Sequence, residues 1–224
     1  MTQAWNHLLF LHYALPISAV RPLVPPRLPL DTYDRQAWVS VTPFHLTDLR
    51  PRFLPSVPGA SEFPELNVRT YTTLDGKPGV FFFSLDAGSL AAVLGARVWY
   101  RLPYFWARMR VAVSDAQVSY RSRRRSGPRA EFQGHYTPTG PARPARPGEL
   151  DYFLVERYCL YTVSSGRAYR ADIHHVPWPL QSAEVEVQLN TMVAAAGIEP
   201  SLPQPVAHYA RRIEVLAWPP ERCH

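Results

Sequence analysis

Glu65-Leu-Asn-Val-Arg-Thr-Tyr-Thr-Thr-Leu-Asp-Gly-Lys-Pro-Gly-Val-Phe-Phe-Phe-Ser-Leu-Asp86 reads as two strands joined by a turn. β-Branched and aromatic residues fill both arms, and Asp75-Gly76-Lys77-Pro78 between them is turn chemistry. The predicted arms are Glu65 to Leu74 and Gly79 to Asp86. The two-residue period of a strand puts Glu65, Asn67, Arg69 and Tyr71 on one face of the first arm, and Leu66, Val68 and Thr70 on the other. A face of that composition is either solvated or turned into a polar interior. In the second arm the same period puts Ser84 and Asp86 opposite Phe81 and Phe83.

Working outward, further strands are expected at Ala37 to Phe44, Ala107 to Val113, Gln117 to Arg123, Ala130 to Tyr136, Tyr169 to His175, Ala183 to Leu189 and Val206 to Trp218. Helices are expected after Ser18, with Pro22 in the first turn, and from Leu90 to Tyr100, opened by Ser89. The small residues Ala91, Ala92, Gly95 and Ala96 would let that second helix pack closely on a sheet. Two more helices are predicted at Glu149 to Tyr158 and Thr191 to Ala196, and Pro138 to Pro147 is predicted to be a mobile loop. About nine short strands with peripheral helices make a mainly β fold, an antiparallel barrel or strongly curved sheet rather than a βαβ series.

The composition agrees. With 46% hydrophobic and 19% charged residues, the 224-residue chain can bury one sizeable core, so residues 1–224 are expected to form a single domain. The 24 prolines, spread along the chain, favour short elements and rigid turns over a helical bundle. The basic residues are 23 arginines and Lys77, and the net charge of +6 favours an anionic partner. Cys159 and Cys223 are too few for a disulfide framework, which fits a reduced cytoplasmic protein. The apolar run Leu8 to Leu11 has no basic residue before it and makes a poor signal peptide, and no stretch approaches a membrane span.

Several segments resemble the YqjF-like family of uncharacterised bacterial proteins: Leu11-His-Tyr-Ala-Leu-Pro, Glu65-Leu-Asn-Val-Arg-Thr-Tyr, Gly79-Val-Phe-Phe-Phe-Ser-Leu-Asp-Ala, Leu102-Pro-Tyr, Glu156-Arg-Tyr-Cys-Leu-Tyr and His175-Val-Pro-Trp-Pro-Leu. That family is more distantly similar to acetoacetate decarboxylase. The resemblance implies an antiparallel β barrel with an internal cavity. Ala19-Val-Arg-Pro-Leu-Val-Pro-Pro-Arg-Leu resembles the decarboxylase's Val-Pro-x-x-Leu turn. Gly95-Ala-Arg followed by Leu102-Pro-Tyr-Phe corresponds to its nucleophile segment, with Tyr104 and Phe105 where the decarboxylase has lysines. Schiff-base chemistry needs an amine of depressed basicity. Lys77, in a turn between Gly76 and Pro78, is instead expected to be an ordinary solvated ammonium, so the resemblance carries the fold without the reaction.

A polar interior would make Arg69 a bidentate carboxylate binder, with Asn67, Tyr71 and Arg97 as further ligand-binding candidates. Glu65, Tyr104 and His12 are the candidates for acid or base, and His175 is a second histidine of that kind. Arg101 joins Arg97 and Tyr104 by position. The structural alternative for each is a satisfied side chain or a core aromatic. Ser84 has no nucleophile elbow around it, and Asp86 is expected to cap the turn before the second helix. Adjacent His174 and His175 point to opposite faces, and no metal-binding pattern occurs, so neither metal nor cofactor is expected. The basic run Arg121 to Arg129 offers a different function, a non-catalytic module binding a polyanion or a partner. It carries no recognition-helix, zinc-finger or RNA-binding signature, so a solvated hairpin is the expectation and nucleic acid is not. A homo-oligomer is compatible with all of this. The sequence leaves open whether any reaction is catalysed.

Overall fold

In the computed structural model, which describes residues 1–50, 61–198 and 203–223, β4 (Phe63–Leu74) and β5 (Lys77–Ala87) form the expected hairpin. Leu74 pairs with Lys77, leaving Asp75 and Gly76 as a two-residue turn with φ of 52° and 71°. Two positive φ values in succession define the type I′ turn, whose twist matches that of the strands it joins.

The chain opens with β1 (Thr2–Leu15), passes α1 (Ile17–Val20) and a short 3-10 turn (Arg21–Leu23), and continues through β2 (Thr32–Tyr33) and β3 (Gln36–Arg50) to the hairpin. After β5 come α2 (Leu90–Trp99), β6 (Tyr104–Ser114), β7 (Gln117–Arg124), β8 (Glu131–Arg143) and α3 (Leu150–Val155). The remainder is β9 (Cys159–Ser164), β10 (Arg167–His174), β11 (Leu180–Asn190), α4 (Met192–Ala195), β12 (Val206–Ala217) and β13 (Glu221–Arg222). The main path of the sheet runs β13-β10-β9-β5-β4-β3-β1-β12-β11-β8-β7-β6. It also closes on itself through β10–β12 and through β5–β6. The architecture is mainly β, as expected. Two pairings, β5–β6 and β5–β9, are parallel, so the sheet is not wholly antiparallel.

Several elements differ from expectation. The strands are longer and more numerous than predicted, thirteen among the described residues, with β1 of 14 residues and β3 of 15. Neither β1 nor β9 was predicted. β1 carries a bulge: Asn6 faces His45 while Leu11 faces Val41, so four residues of β1 span three of β3, and His7 adopts φ 50°. The extra residue flips the alternation. Trp5 before it and Phe10 after it therefore reach the same side, both against Trp178. A second bulge in β5 sets Ser84 beside Val68 and Phe82 beside Arg69. Ser84 and Asp86 consequently lie on the same side as Phe81 and Phe83, not opposite them.

Residues Pro138 to Arg143, expected in a mobile loop, continue β8, with Pro138 opposite Ala183 and Arg143 opposite Leu180. β7 stops pairing at Tyr136, so beyond it one edge of β8 has no strand partner and a proline there breaks no ladder bond. Ser89 caps α2 as predicted, accepting from Ala92 N at 3.3 Å. The helix buries Val93 rather than the small-residue face, and Ala91 and Gly95 are exposed. The first helix is shorter than predicted and its N-cap is Pro16, not Ser18. Gly79 lets β9 approach β5, because a Cβ there would lie 2.6 Å from Cys159 Sγ and 2.7 Å from Cys159 O.

Two apolar clusters sit on opposite faces of the shared strands. One gathers Leu9, Leu11, Val39, Val41, Leu66 and Val68 with Tyr120, Phe132 and Tyr136. The other gathers Leu8, Phe10, Trp38, Phe44 and Tyr71 with Leu154, Trp178 and Leu180. The polar row of β4 projects into the second.

Candidate functional site

Glu65, Asn67, Arg69 and Tyr71 are all buried, with Arg69 only 7% exposed and Tyr71 fully enclosed. Closure of the sheet, not strand propensity, puts this row inside. β3 supplies the neighbouring row: Ser40 pairs with Arg69 and Thr42 with Asn67, and directly opposed residues share a face. Both are buried. Neither was singled out in the sequence, although Val39-Ser-Val-Thr alternates as visibly as β4 does.

His12 of β1 meets these two rows. Its Nδ1 lies 2.5 Å from Ser40 Oγ and 3.1 Å from the Tyr71 hydroxyl, and Ser40 and Tyr71 are 2.5 Å apart. In one hydrogen arrangement Ser40 donates to Nδ1 and Tyr71 donates to Ser40, which leaves the longer Tyr71–Nδ1 approach without a proton. His12 then carries its proton on Nε2, a buried atom with no partner in the protein. Burial, helped by neighbouring His208 and Arg69, holds the imidazole well below its usual range, so it is neutral at physiological pH. His208 stands 5.5 Å away, ring to ring, and its Nε2 lies 3.2 Å from Asp151 Oδ1. Its position on β12 could not be related to His12 before the β1–β12 pairing was known.

Arg69 has no carboxylate partner among the described residues. Its guanidinium lies 5.1 Å from the centre of the Phe10 ring, the Tyr71 hydroxyl is a polar neighbour, and Nε is buried without a hydrogen-bond partner. Asn67 Oδ1, Thr42 Oγ1, His175 Nε2 and the indole nitrogens of Trp5 and Trp178 are likewise buried and unpartnered. Native interiors leave few polar atoms unpaired, so these atoms call for partners that the described residues do not supply.

Glu65 lies four residues from Arg69 on the same strand, roughly 13 Å at about 3.3 Å per residue, so the two do not pair. Tyr104 of β6 donates to Glu65 Oε2 at 3.0 Å. Burial pushes the Glu65 carboxyl up to about 8, opposed by the Tyr104 bond and assisted by Asp86. The group is therefore a neutral acid near pH 7.

Other candidates lie elsewhere. Arg97 is exposed on α2, its Nε donating to Tyr104 O at 2.7 Å, and Arg101 stacks over Tyr169 with its Cζ 4.6 Å from the ring centre. His175 stacks on Tyr158 and lies tilted against Trp178. Asp86 caps no turn; it forms a buried ion pair with Arg124, Oδ1 to Nη2 2.6 Å, so the basic run is not wholly solvated. Lys77 Nζ lies 2.7 Å from Asp172, away from the inward row, in an open cleft of about 360 Å³ shared with Tyr158, Arg170, His174 and Trp218. Among the described residues no three His, Cys, Asp or Glu side chains could hold a metal ion, and no helix is long and apolar enough to cross a membrane.

The model of the DUF2071 family, described as an uncharacterized conserved protein, matches residues 2–214. The chain belongs to the DUF2071 family. A member from Bacillus subtilis (strain 168), "Uncharacterized protein YqjF", is 49% identical over 219 residues, covering 98% of this chain and 90% of that protein. Among solved structures, this DUF2071 chain is similar to the enduracididine biosynthesis enzyme MppR complexed with pyruvate: TM-score 0.66, 11% identity, 99% of this chain and 89% of that one. It is also similar to acetoacetate decarboxylase from Legionella pneumophila, with TM-score 0.63, 13% identity and coverage of 100% and 87%. An acetoacetate decarboxylase-like enzyme from Sphingomonas wittichii RW1 gives TM-score 0.64 at 13% identity, with coverage of 100% and 92%. At these identities the likeness is one of fold, and the expected resemblance to acetoacetate decarboxylase holds at that level.

Proposed function

We propose that the buried polar cluster between β1, β3 and β4 binds a small carboxylate metabolite, with Arg69 as its counter-charge and without a Schiff-base lysine. The observation that carries this is the buried Arg69 guanidinium with no carboxylate of the protein beside it. A charge in the interior is tolerated only when paired, and a ligand carboxylate would supply the missing half with bidentate geometry. Tyr71, Ser40 and His12 hold the other side of that subsite. Glu65, neutral and bonded to Tyr104, stands roughly 13 Å further along the same row, where only a ligand longer than pyruvate would meet it as a proton or hydrogen-bond donor. The similarity to a fold that holds pyruvate in MppR supports a ligand of this class. The cleft beside Tyr158 is the natural entrance, since Tyr158 stacks on His175 and Ile173 lines the cleft while packing against the inner cluster.

Calorimetric titration with pyruvate and acetoacetate tests the reading. Arg69→Met is expected to weaken binding at least 100-fold, the effect of removing a charge-assisted bidentate pairing, at about 1.4 kcal/mol per tenfold. It is also expected to raise the melting temperature of the ligand-free protein, because a buried unpaired charge is replaced by an apolar chain of similar length. Failure of both acids to bind at millimolar concentration, or equal binding by the variant, would overturn it. Borohydride reduction in the presence of either keto acid is expected to leave the protein mass unchanged. A reduced adduct on Lys77, the chain's one lysine, would restore the amine mechanism.

A further inference from the structure

The outer face of β6 and β7 carries arginines in register. Ala107, Met109 and Val111 point inward on β6, and Val118, Tyr120, Ser122 and Arg124 do so on β7, which leaves Arg108, Arg110, Arg121, Arg123 and Arg125 outside. Arg108 lies directly opposite Arg123, and Arg110 directly opposite Arg121. Trp106, 38% exposed, continues the row on β6 beside Arg125, whose backbone N–H donates to Trp106 O at 2.8 Å. At that end Trp106, Arg123, Arg125 and Arg129 line an open cleft of about 270 Å³. Of the exposed arginines in this array only Arg123 has an acidic partner among the described residues, Glu131 at 3.3 Å.

Two like-charged pairs facing each other across adjacent strands destabilise a sheet. Protection of an open edge would explain charges on β6, which beyond Trp106 pairs on one side only. It does not explain Arg121 and Arg123, because β7 is flanked by both β6 and β8. The β7 half of the ladder therefore opposes folding without guarding an edge, and a bound polyanion would relieve it. Alternate residues on a strand repeat at about 6.7 Å, and opposed residues lie about 5 Å apart, so the four guanidiniums form a two-by-two array with the reach to follow a stretched phosphodiester chain.

We propose that this face binds single-stranded nucleic acid, its phosphates on Arg108, Arg110, Arg121 and Arg123 and a base stacked on Trp106 in the cleft beside Arg125 and Arg129. An exposed indole at the end of a basic track is the combination that binds single strands without sequence preference. It also separates this reading from generic attraction of anions, for which the indole has no use. The sequence alone argued against nucleic acid because the run Arg121 to Arg129 carries no recognition-helix, zinc-finger or RNA-binding signature. Pairing with β6 supplies the second arginine row and the aromatic. The face is separate from the inward cluster, so either proposal stands without the other.

The test is fluorescence anisotropy of a labelled oligothymidylate of about fifteen nucleotides, titrated with the full chain over a range of salt. Replacing Arg108, Arg110, Arg121 and Arg123 together by Gln is expected to lower the slope of log affinity against log salt by up to about 3, at about 0.7 for each phosphate left without its arginine. Replacing the exposed Arg27, Arg167, Arg211 and Arg222 by Gln changes the net charge equally and is expected to leave most of the affinity in place. Trp106→Ala is expected to weaken binding about tenfold with the salt slope unchanged. Thermal melts accompany each variant, and relief of the ladder is expected to make the first one melt no lower than the parent. Absence of binding at low salt, equal weakening in the two quadruple variants, or tighter binding of duplex than of single strand overturns the proposal. An unaffected Trp106→Ala protein does the same, leaving non-specific attraction of polyanions in its place.

Discussion

Arg124→Ala loses about 3–5 kcal/mol of unfolding free energy in a urea titration, the expected result of stripping one partner from a fully buried ion pair. The Arg124 and Asp86 side chains are 2% and 0% exposed. Arg124 Nε donates to both carboxylate oxygens at 3.0 Å, Nη2 donates to Oδ1 at 2.6 Å, and the guanidinium lies 4.0 Å from the Phe105 ring centre. Burial lifts the Asp86 carboxyl even against this guanidinium, so the aspartate left behind has neither partner nor solvent. Replacing both residues together, Asp86→Leu with Arg124→Met, is expected to recover most of that stability, as apolar substitutes for buried pairs often do. A single variant within about 0.5 kcal/mol of the parent would show that the pair does not anchor β5 to β7. The consequence reaches the site, because Phe105 over Arg124 fixes the start of β6 from which Tyr104 meets Glu65.

The second large effect is one of pH. Glu65 titrates at about 8 in the folded chain because burial disfavours its charge, against 4.5 for the exposed side chain. Between those values the folded state holds a proton that the unfolded state has released, so stability falls as pH rises through this window and levels above about 8. Glu65→Gln has no charge to bury and its amide oxygen still accepts from Tyr104. Its stability curve is expected to flatten across the window and to exceed the parent's above pH 8 by on the order of 4 kcal/mol. Parallel curves for the two proteins would mean that Glu65 is not held as a neutral acid. A ligand carboxylate at Arg69 adds no charge next to Glu65, roughly 13 Å along the strand, so saturating pyruvate is expected to stabilise the protein without changing the shape of the curve.

What could be read from the chain, and what could not, follows from the range of the interactions concerned. The β4–β5 hairpin was legible because its turn residues and both arms are contiguous, and Asp75-Gly76 permits only a few geometries. β1 was not legible. Its bulge at His7 breaks the alternation from which a half-buried strand is recognised, and Leu8 to Leu11 face both clusters in turn and so read as an unpatterned apolar run. The Pro138 and Pro141 segment misled in the other direction, since proline excludes a strand only where the ladder needs its N–H. The site shows the same division. Glu65, Asn67, Arg69 and Tyr71 were recognisable as one row, and His12 and Tyr104 as candidates. Ser40, Thr42 and His208 were overlooked because each matters only through a partner more than 20 residues away.

The sequence by itself determined the polar row on β4, the single lysine placed in a turn, and the surplus of arginine. These are local properties, fixed by strand period and composition. Whether the polar row met water or the interior, and whether the arginines of one run stood alone or faced a second row, was decided only by which strands paired. Ring closure encloses Arg69, and the β6–β7 register sets arginine against arginine. Strand pairing is a contact between distant segments, and no period along a single chain encodes it.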